Sequence, residues 1–271
     1  MTARRAPAGP LLAYVLHSHD WSETSLIVEL FTRERGRVVV VAKGAKRPYS
    51  QLRPILLPFQ RVLVQLGRTP ADEAAEVHTL RSAEWAGGLP QADAEALFSG
   101  FYVNELLLKL LARQDPHPPL FDAYADALAA LADGGEAGRQ TALRAFELTL
   151  LRELGVLPEL GVVTQTVLAV RPDSHYTLDA EAGVVPVPRG DAGLPGAALV
   201  ALEAALVHGS GAALRDAAGP VLGALRVPLR GLLHYHLGSA TLRTRLVMQG
   251  VRKMLEPTTV STASPNPPSA P

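Results

Sequence analysis

Between residues 11 and 80 the apolar positions fall into short runs separated by turn residues. Residues 11–17 (LLAYVLH) form an apolar run, residues 24–31 (TSLIVELF) alternate in part, and residues 38–42 (VVVVA) are β-branched and continuous. Residues 61–66 (RVLVQL) and 75–80 (AEVHTL) repeat the strand-like pattern. Arg35-Gly36, Lys43-Gly44 and Gly67 with Pro70 punctuate these runs. Five short strands in so small a stretch predict a closed barrel, which satisfies its own edges. Beyond Gly87-Gly88 the period changes to that of helices. Leu120, Tyr124, Leu128 and Leu131 share one face, as do Leu143, Phe146, Leu150 and Leu154, and Gly155 with Pro158 ends that helix. Residues 92–112 are apolar nearly all round and predict a central buried helix. Residues 199–207 and 221–237 read as helices, and 241–255 as a continuation of the bundle. Residues 162–170 and 176–187 predict a β-hairpin excursion. The organisation expected is therefore two-domain α+β: a mobile arm (1–10), a barrel (11–82), a helical domain (83–256, hairpin insertion about 160–188) and a disordered tail (257–271).

Composition narrows the class. Hydrophobic residues make up 48% of the 271 and charged residues 19%, so most of the chain is expected to fold. There is no cysteine, which excludes disulfides and thiolate zinc sites and makes a reducing cytoplasm the expected compartment. The opening MTARRAPAGP lacks the apolar stretch of a signal peptide, and no run is long enough to span a membrane. The net charge of zero conceals an asymmetry. Residues 1–68 carry eleven Lys/Arg against four Asp/Glu, and the remainder fifteen against twenty-two. One part of the molecule is built to meet a polyanion and the other is not.

The cations concentrate in residues 32–53, TRERGRVVVVAKGAKRPYSQLR. Arg33, Arg35, Arg37, Lys43, Lys46, Arg47 and Arg53 surround one strand, with Glu34 alone opposing them. Arg33, Arg35 and Arg37 share a face if pairing is unbroken, and Gly36 points to a turn there. Cations at both ends of a strand can track a phosphate backbone, with binding that weakens as salt rises. Phe31, Tyr49, Phe59 and Trp21 could offer faces for stacking bases. Phe31 and Phe59 sit in or beside strands and are expected in the core, which leaves Tyr49 as the better candidate.

No catalytic pattern emerges. There is no phosphate-binding G-x-x-x-x-G-K-[ST], no H-E-x-x-H and no G-x-S-x-G, and the spacing of His208-Gly209-Ser210-Gly211 is wrong for the last. His17 and His19 can share a strand face, but only Asp20 or Glu23 could supply a third metal ligand. Asp72-Glu73 and Glu76 read as solvated carboxylates. No cofactor, no metal and no enzymatic activity are expected.

The run from Ala13 to residue 66 resembles the N-terminal domain of the RecO family. The motifs are Glu23-Thr24-Ser25, a T-x-E-x-G-x turn over residues 32–37, and a VAKGA-basic segment over residues 41–47. The likeness continues through Ala83-Glu84-Trp85, Asn104-Glu105-Leu106 and LLHYHLG (232–238) before Arg243 and Arg245. It implies an OB-fold β-barrel followed by a helical bundle. It also implies binding of single- and double-stranded DNA, annealing of complementary strands, partnership with RecR, and loading of RecA onto DNA coated by single-strand-binding protein. The resemblance maps the DNA-contacting cations onto residues 33–53, and docks the acidic tail of single-strand-binding protein on the helical domain. Many members carry a four-cysteine zinc site where this chain has residues 162–187, so here packing must hold that excursion. Arg139, Arg144, Arg152, Arg226 and Arg230 are the candidates for receiving the acidic tail. The basic barrel by itself also suits an OB-fold RNA- or ribosome-binding module, or an adaptor that meets an acidic protein.

Overall fold

The structure is a computed structural model that describes residues 9–67, 77–88, 93–133, 135–188, 191–238, 242–244 and 246–247. The predicted tail, most of the arm and the carboxylates Asp72, Glu73 and Glu76 lie outside the described residues. So does most of the predicted 241–255 helix, of which residues 243, 244, 246 and 247 are helical.

Five strands close the barrel: β1 (Leu11–Asp20), β2 (Leu26–Thr32), β3 (Gly36–Ala42), β4 (Gln60–Leu66) and β5 (Val77–Gly88). They pair in the order β1-β2-β3-β5-β4, with β3 and β5 parallel and every other pair antiparallel. This is the OB-type arrangement, and all five predicted strands are present. The last runs past residue 82 to Gly88. These directions place the ends of β1, β3 and β5 and the starts of β2 and β4 together at one end, here the upper rim. The β2–β3 turn lies at the lower rim.

The barrel interior is aliphatic: Ala13, Val15, Val28, Leu30, Val38, Val40, Val62 and Val64 line it, each essentially inaccessible. The alternate side chains of β1 and β2 face outward yet are also buried. Tyr14, Leu16 and Phe31 belong to the helical core, where Tyr14 meets Phe121 and Tyr124, and Phe31 meets Phe121. Burial on both faces is why residues 11–17 read as a continuous run instead of an alternating one. It also means that a barrel cut away from the helices would expose these aromatic residues to water.

The helices are α1 (Ala94–Leu110), α2 (Pro118–Asp133), α3 (Glu136–Glu153), α4 (Gly196–Val207), α5 (Gly211–Ala218) and α6 (Leu222–Leu237). α1 is less buried than its sequence suggests: Leu97 and Phe101 are more than a third exposed. It descends the outside of the barrel, from Phe59 packed on Phe101 near the upper rim to the Leu108 carbonyl held by Arg37 near the lower. Ser210, in the serine segment that failed as a catalytic motif, caps α5 by accepting from the Ala213 amide.

Two side chains of α1 explain the Asn104-Glu105 pair. Asn104 is buried, donates to the Leu16 carbonyl on β1 and accepts from the Tyr124 hydroxyl on α2. Glu105 accepts from the amides of Arg243 and Thr244 and from the Thr244 hydroxyl, tying the C-terminal segment to α1. Burial works to raise the Glu105 pKa, but these donors and Lys109 hold it below the usual carboxylate value. Replacing Asn104 with alanine strands a carbonyl and a phenol in the barrel–helix interface, at a cost of about 2–4 kcal/mol. Urea unfolding of the full chain measures it, and a loss below about 0.5 kcal/mol would show that Asn104 ties nothing together.

The single predicted hairpin is instead two small sheets. β6 (Val162–Val163) pairs with β7 (Leu168–Ala169), and β8 (His175–Asp179) lies between β9 (Gly183–Pro186) and β10 (Leu194–Pro195). Turns at residues 164–167 and 180–182 break each of the two predicted arms into a pair of short strands. No cysteine holds this region. Val163, Val170, Tyr176, Leu178, Val184 and Leu194 pack into the helical core. Thr164 clamps the two sheets, its amide donating to the Val184 carbonyl and its hydroxyl accepting from the Val184 amide.

Candidate nucleic-acid interface

The seven hairpin cations divide into two groups at opposite rims, about 20 Å apart along the seven residues of β3. At the lower rim the β2–β3 turn is fixed by the Thr32 hydroxyl, which donates to the Gly36 carbonyl and accepts from the Arg35 amide. The turn prevents Arg33, Arg35 and Arg37 from sharing one strand face. Arg33 reaches α2, where both its Nε and its Nη2 bond Asp122, at 3.2 and 3.1 Å. Arg37 is largely covered, lies 3.7 Å from the Glu29 carboxylate and donates to the Leu108 carbonyl. Burial presses its pKa down, Glu29 opposes the shift, and nearby Arg113 adds to it. Arg113 reaches the same carboxylate at 3.2 Å. Arg35 is half-buried, has no ion-pair partner among the described residues, and faces His78, whose pKa burial and then Arg35 hold low.

The upper-rim group is different. Lys43, Arg47 and Arg53 lie on the β3–β4 loop (residues 43–59), are exposed, and have no ion-pair partner among the described residues. Lys46 is the exception: it bonds Asp20 at 2.7 Å and the Ser22 carbonyl, and its amide donates to the Thr24 carbonyl. Those bonds moor the loop against the β1–β2 connection, which carries Trp21. Tyr49 is 94% exposed and Trp21 65%, whereas Phe31 and Phe59 are core residues as expected. One rim thus presents three unpaired cations and two exposed aromatic rings.

His17 and His19 do share a face, with ring centroids 5.9 Å apart. Burial, then His19, holds His17 below the ordinary imidazole value, against the pull of Glu29. Asp20 is engaged by Lys46, and among the described residues no three His, Asp or Glu side chains gather to hold a metal.

On the helical domain the five arginines do not form one pocket. Arg139 bonds Asp93 and Glu95 beside the start of α1, and Arg152 bonds Glu203 of α4 at 2.6 Å. Arg144 lies 2.8 Å from the fully buried Glu147, which also accepts from the Tyr102 hydroxyl. Burial raises the Glu147 pKa, and Arg144, Tyr102 and Arg230 counter it. Arg226 and Arg230, four apart on α6, are exposed on one helix face. Arg144, Arg226 and Arg230 are therefore the subset the fold brings near one another.

Sequence reasoning gave Trp85, the second tryptophan, no role. It is 65% exposed near the end of β5, with its indole Nε1 donating to Gln60 Oε1 at 2.7 Å. A tryptophan in a chain with only 5% aromatic residues was the available signal. Among the described residues, no helix is long and apolar enough to cross a membrane.

Comparison with known proteins identifies the family. Residues 11–88 match the family model for the recombination protein O N-terminal domain, and residues 91–182 the model for its C-terminal domain. The chain is 51% identical to the DNA repair protein RecO of Albidiferax ferrireducens over 239 residues, covering 87% of this chain and 93% of that protein. It is 50% identical to the protein of the same name from Variovorax paradoxus, over 89% of this chain and 96% of the relative. The corresponding protein of Acidovorax ebreus is 46% identical over 94% of this chain and its own full length.

Proposed function

Because the chain belongs to the RecO family of DNA repair and recombination proteins, we propose that it binds DNA along the upper rim of its barrel and acts there as a recombination mediator. On this reading it binds single and double strands, anneals complementary strands and, with RecR, helps load RecA onto DNA coated by single-strand-binding protein. The observation that carries the reading is the upper-rim loop, where exposed Lys43, Arg47 and Arg53 have no ion-pair partner among the described residues and share the rim with exposed Tyr49 and Trp21. Unpaired cations release the counterions of a phosphate backbone without first breaking an internal ion pair. Annealing requires that repulsion between two strands be screened and that the duplex then leave. A sequence-tolerant cationic rim does this with no covalent step, so no catalytic residue and no cofactor are assigned. Arg33 and Arg37, already engaged by Asp122 and Glu29, contribute less than Lys43, Arg47 and Arg53.

The acidic tail of single-strand-binding protein is assigned to the helical domain, at the α6 face that exposes Arg226 and Arg230 four residues apart. The protein would work in the cytoplasm, at the nucleoid.

The test is strand annealing by the full chain, with and without single-strand-binding protein, across a salt series. Annealing that accelerates at low salt and fades as salt rises is the expected result. Equal affinity for RNA without any acceleration of DNA annealing would favour the RNA- or ribosome-binding alternative instead.

A further inference from the structure

The barrel end that carries the basic loop also carries Trp85. The strand directions fix this placement: the β1–β2 connection, the β3–β4 loop, the start of β4 and the end of β5 meet at one rim. The β3–β4 loop leaves β3 with Lys43, passes Trp21's connection at Lys46, and enters β4 at Gln60, where Gln60 pairs with Gly88 of β5. The rim therefore carries Trp21, the basic loop and Trp85.

The seat of Trp85 is built, not incidental. Its indole N–H is held by Gln60 Oε1 at 2.7 Å, which restricts the ring while two-thirds of the residue faces solvent. Gly88, at φ +155°, lets β5 close onto Gln60: a Cβ there would come within 2.8 Å of the same Gln60 oxygen. Arg61, next on β4, pairs with Tyr14 and projects with it to the other face of the sheet; its Nε donates to the Ala86 carbonyl at 2.8 Å and so ties β4 to the end of β5. Glu84 precedes Trp85 on the strand and so projects to the opposite face. A restrained, solvent-facing indole at the rim that carries the basic loop matches the chemistry of an unpaired base.

We propose that Trp85 is a base-stacking platform for single-stranded nucleic acid, oriented by Gln60 as a positioning residue. The assignment rests on the proposed DNA binding and deepens it. A duplex keeps its base faces stacked internally, so Trp85 engages single strands and leaves duplex affinity to the cations. The barrel thereby favours unpaired substrate over annealed product.

The chain has two tryptophans, Trp21 and Trp85, so each can be read separately in the full-length protein. In Trp21→Phe, emission comes from Trp85 alone. Titration with single-stranded oligothymidylate is expected to quench it, and a duplex of equal length to leave it nearly unchanged. Anisotropy of labelled oligonucleotides follows binding in parallel. Trp85→Ala is expected to weaken single-strand affinity about 5- to 100-fold with duplex affinity little altered, and Trp85→Phe to restore part of the loss. Anisotropy that reports single-strand binding while Trp85 emission stays constant and Trp85→Ala binds normally would overturn the platform and leave the DNA-binding reading standing. Such a result would recast the exposed indole as an anchor for a protein partner. Absence of any binding at low salt would overturn both.

Discussion

Gly36→Ala is expected to lower the melting temperature of the full chain by about 6–12 °C. Two costs coincide. Gly36 sits at φ +62°, a left-handed conformation that costs an alanine on the order of 1 kcal/mol. Its added Cβ would also run into the backbone carbonyl of Asp115, in the linker between α1 and α2. That linker cannot simply swing aside, because the Gln114 amide donates to the Arg37 carbonyl at 2.8 Å and Arg113 bridges to Arg37. Overpacking against backbone adds roughly 1–3 kcal/mol. Gly44→Ala is the control: its φ is similarly left-handed at +74°, but its Cβ would meet only the Arg47 side chain, at 3.5 Å. It should bear the conformational cost alone. Equal melting temperatures for the two variants would show that the turn is not tightly docked on the helical domain.

Reversing Lys43, Arg47 and Arg53 together to glutamate should reduce single-strand affinity at least about 100-fold at ~0.1 M salt. The slope of log affinity against log salt should shrink by about 2, since each phosphate neutralised on a single strand accounts for roughly 0.7 of it. All three side chains are exposed and unpaired among the described residues, so the melting temperature should scarcely change. Arg33→Ala should by contrast leave affinity nearly intact, because Asp122 already offsets that charge through two hydrogen bonds. A folded triple variant that binds as tightly as the parent would remove the upper rim from the interface.

Much of the fold was legible because it is written in local periodicity. Short apolar runs bounded by Gly, Pro and basic turn residues predicted five strands, and all five close the barrel. The 3.6-residue spacing of Leu120, Tyr124, Leu128 and Leu131 predicted a buried helix face, and all four are buried. Periodicity failed where burial has two sources. The excursion at residues 162–187 reads as two long apolar segments because both of its small sheets pack into the helical core, and the turns between their short strands carry no strong signal. α1 reads as apolar all round, yet Leu97 and Phe101 face outward.

The amino-acid order by itself determined that a cation-rich barrel precedes an acid-rich helical half, and which side chains carry the charge. Only the tertiary structure decided which of those charges remain available. Arg33 meets Asp122 across 89 positions of chain and Arg37 meets the Leu108 carbonyl across 71. The helices likewise cover one outer face of the barrel while Trp21, Tyr49 and Trp85 at the upper rim stay exposed. Secondary structure follows from neighbours a few residues apart. Neutralisation of a charge depends on a partner brought within about 4 Å, and folding alone sets that distance.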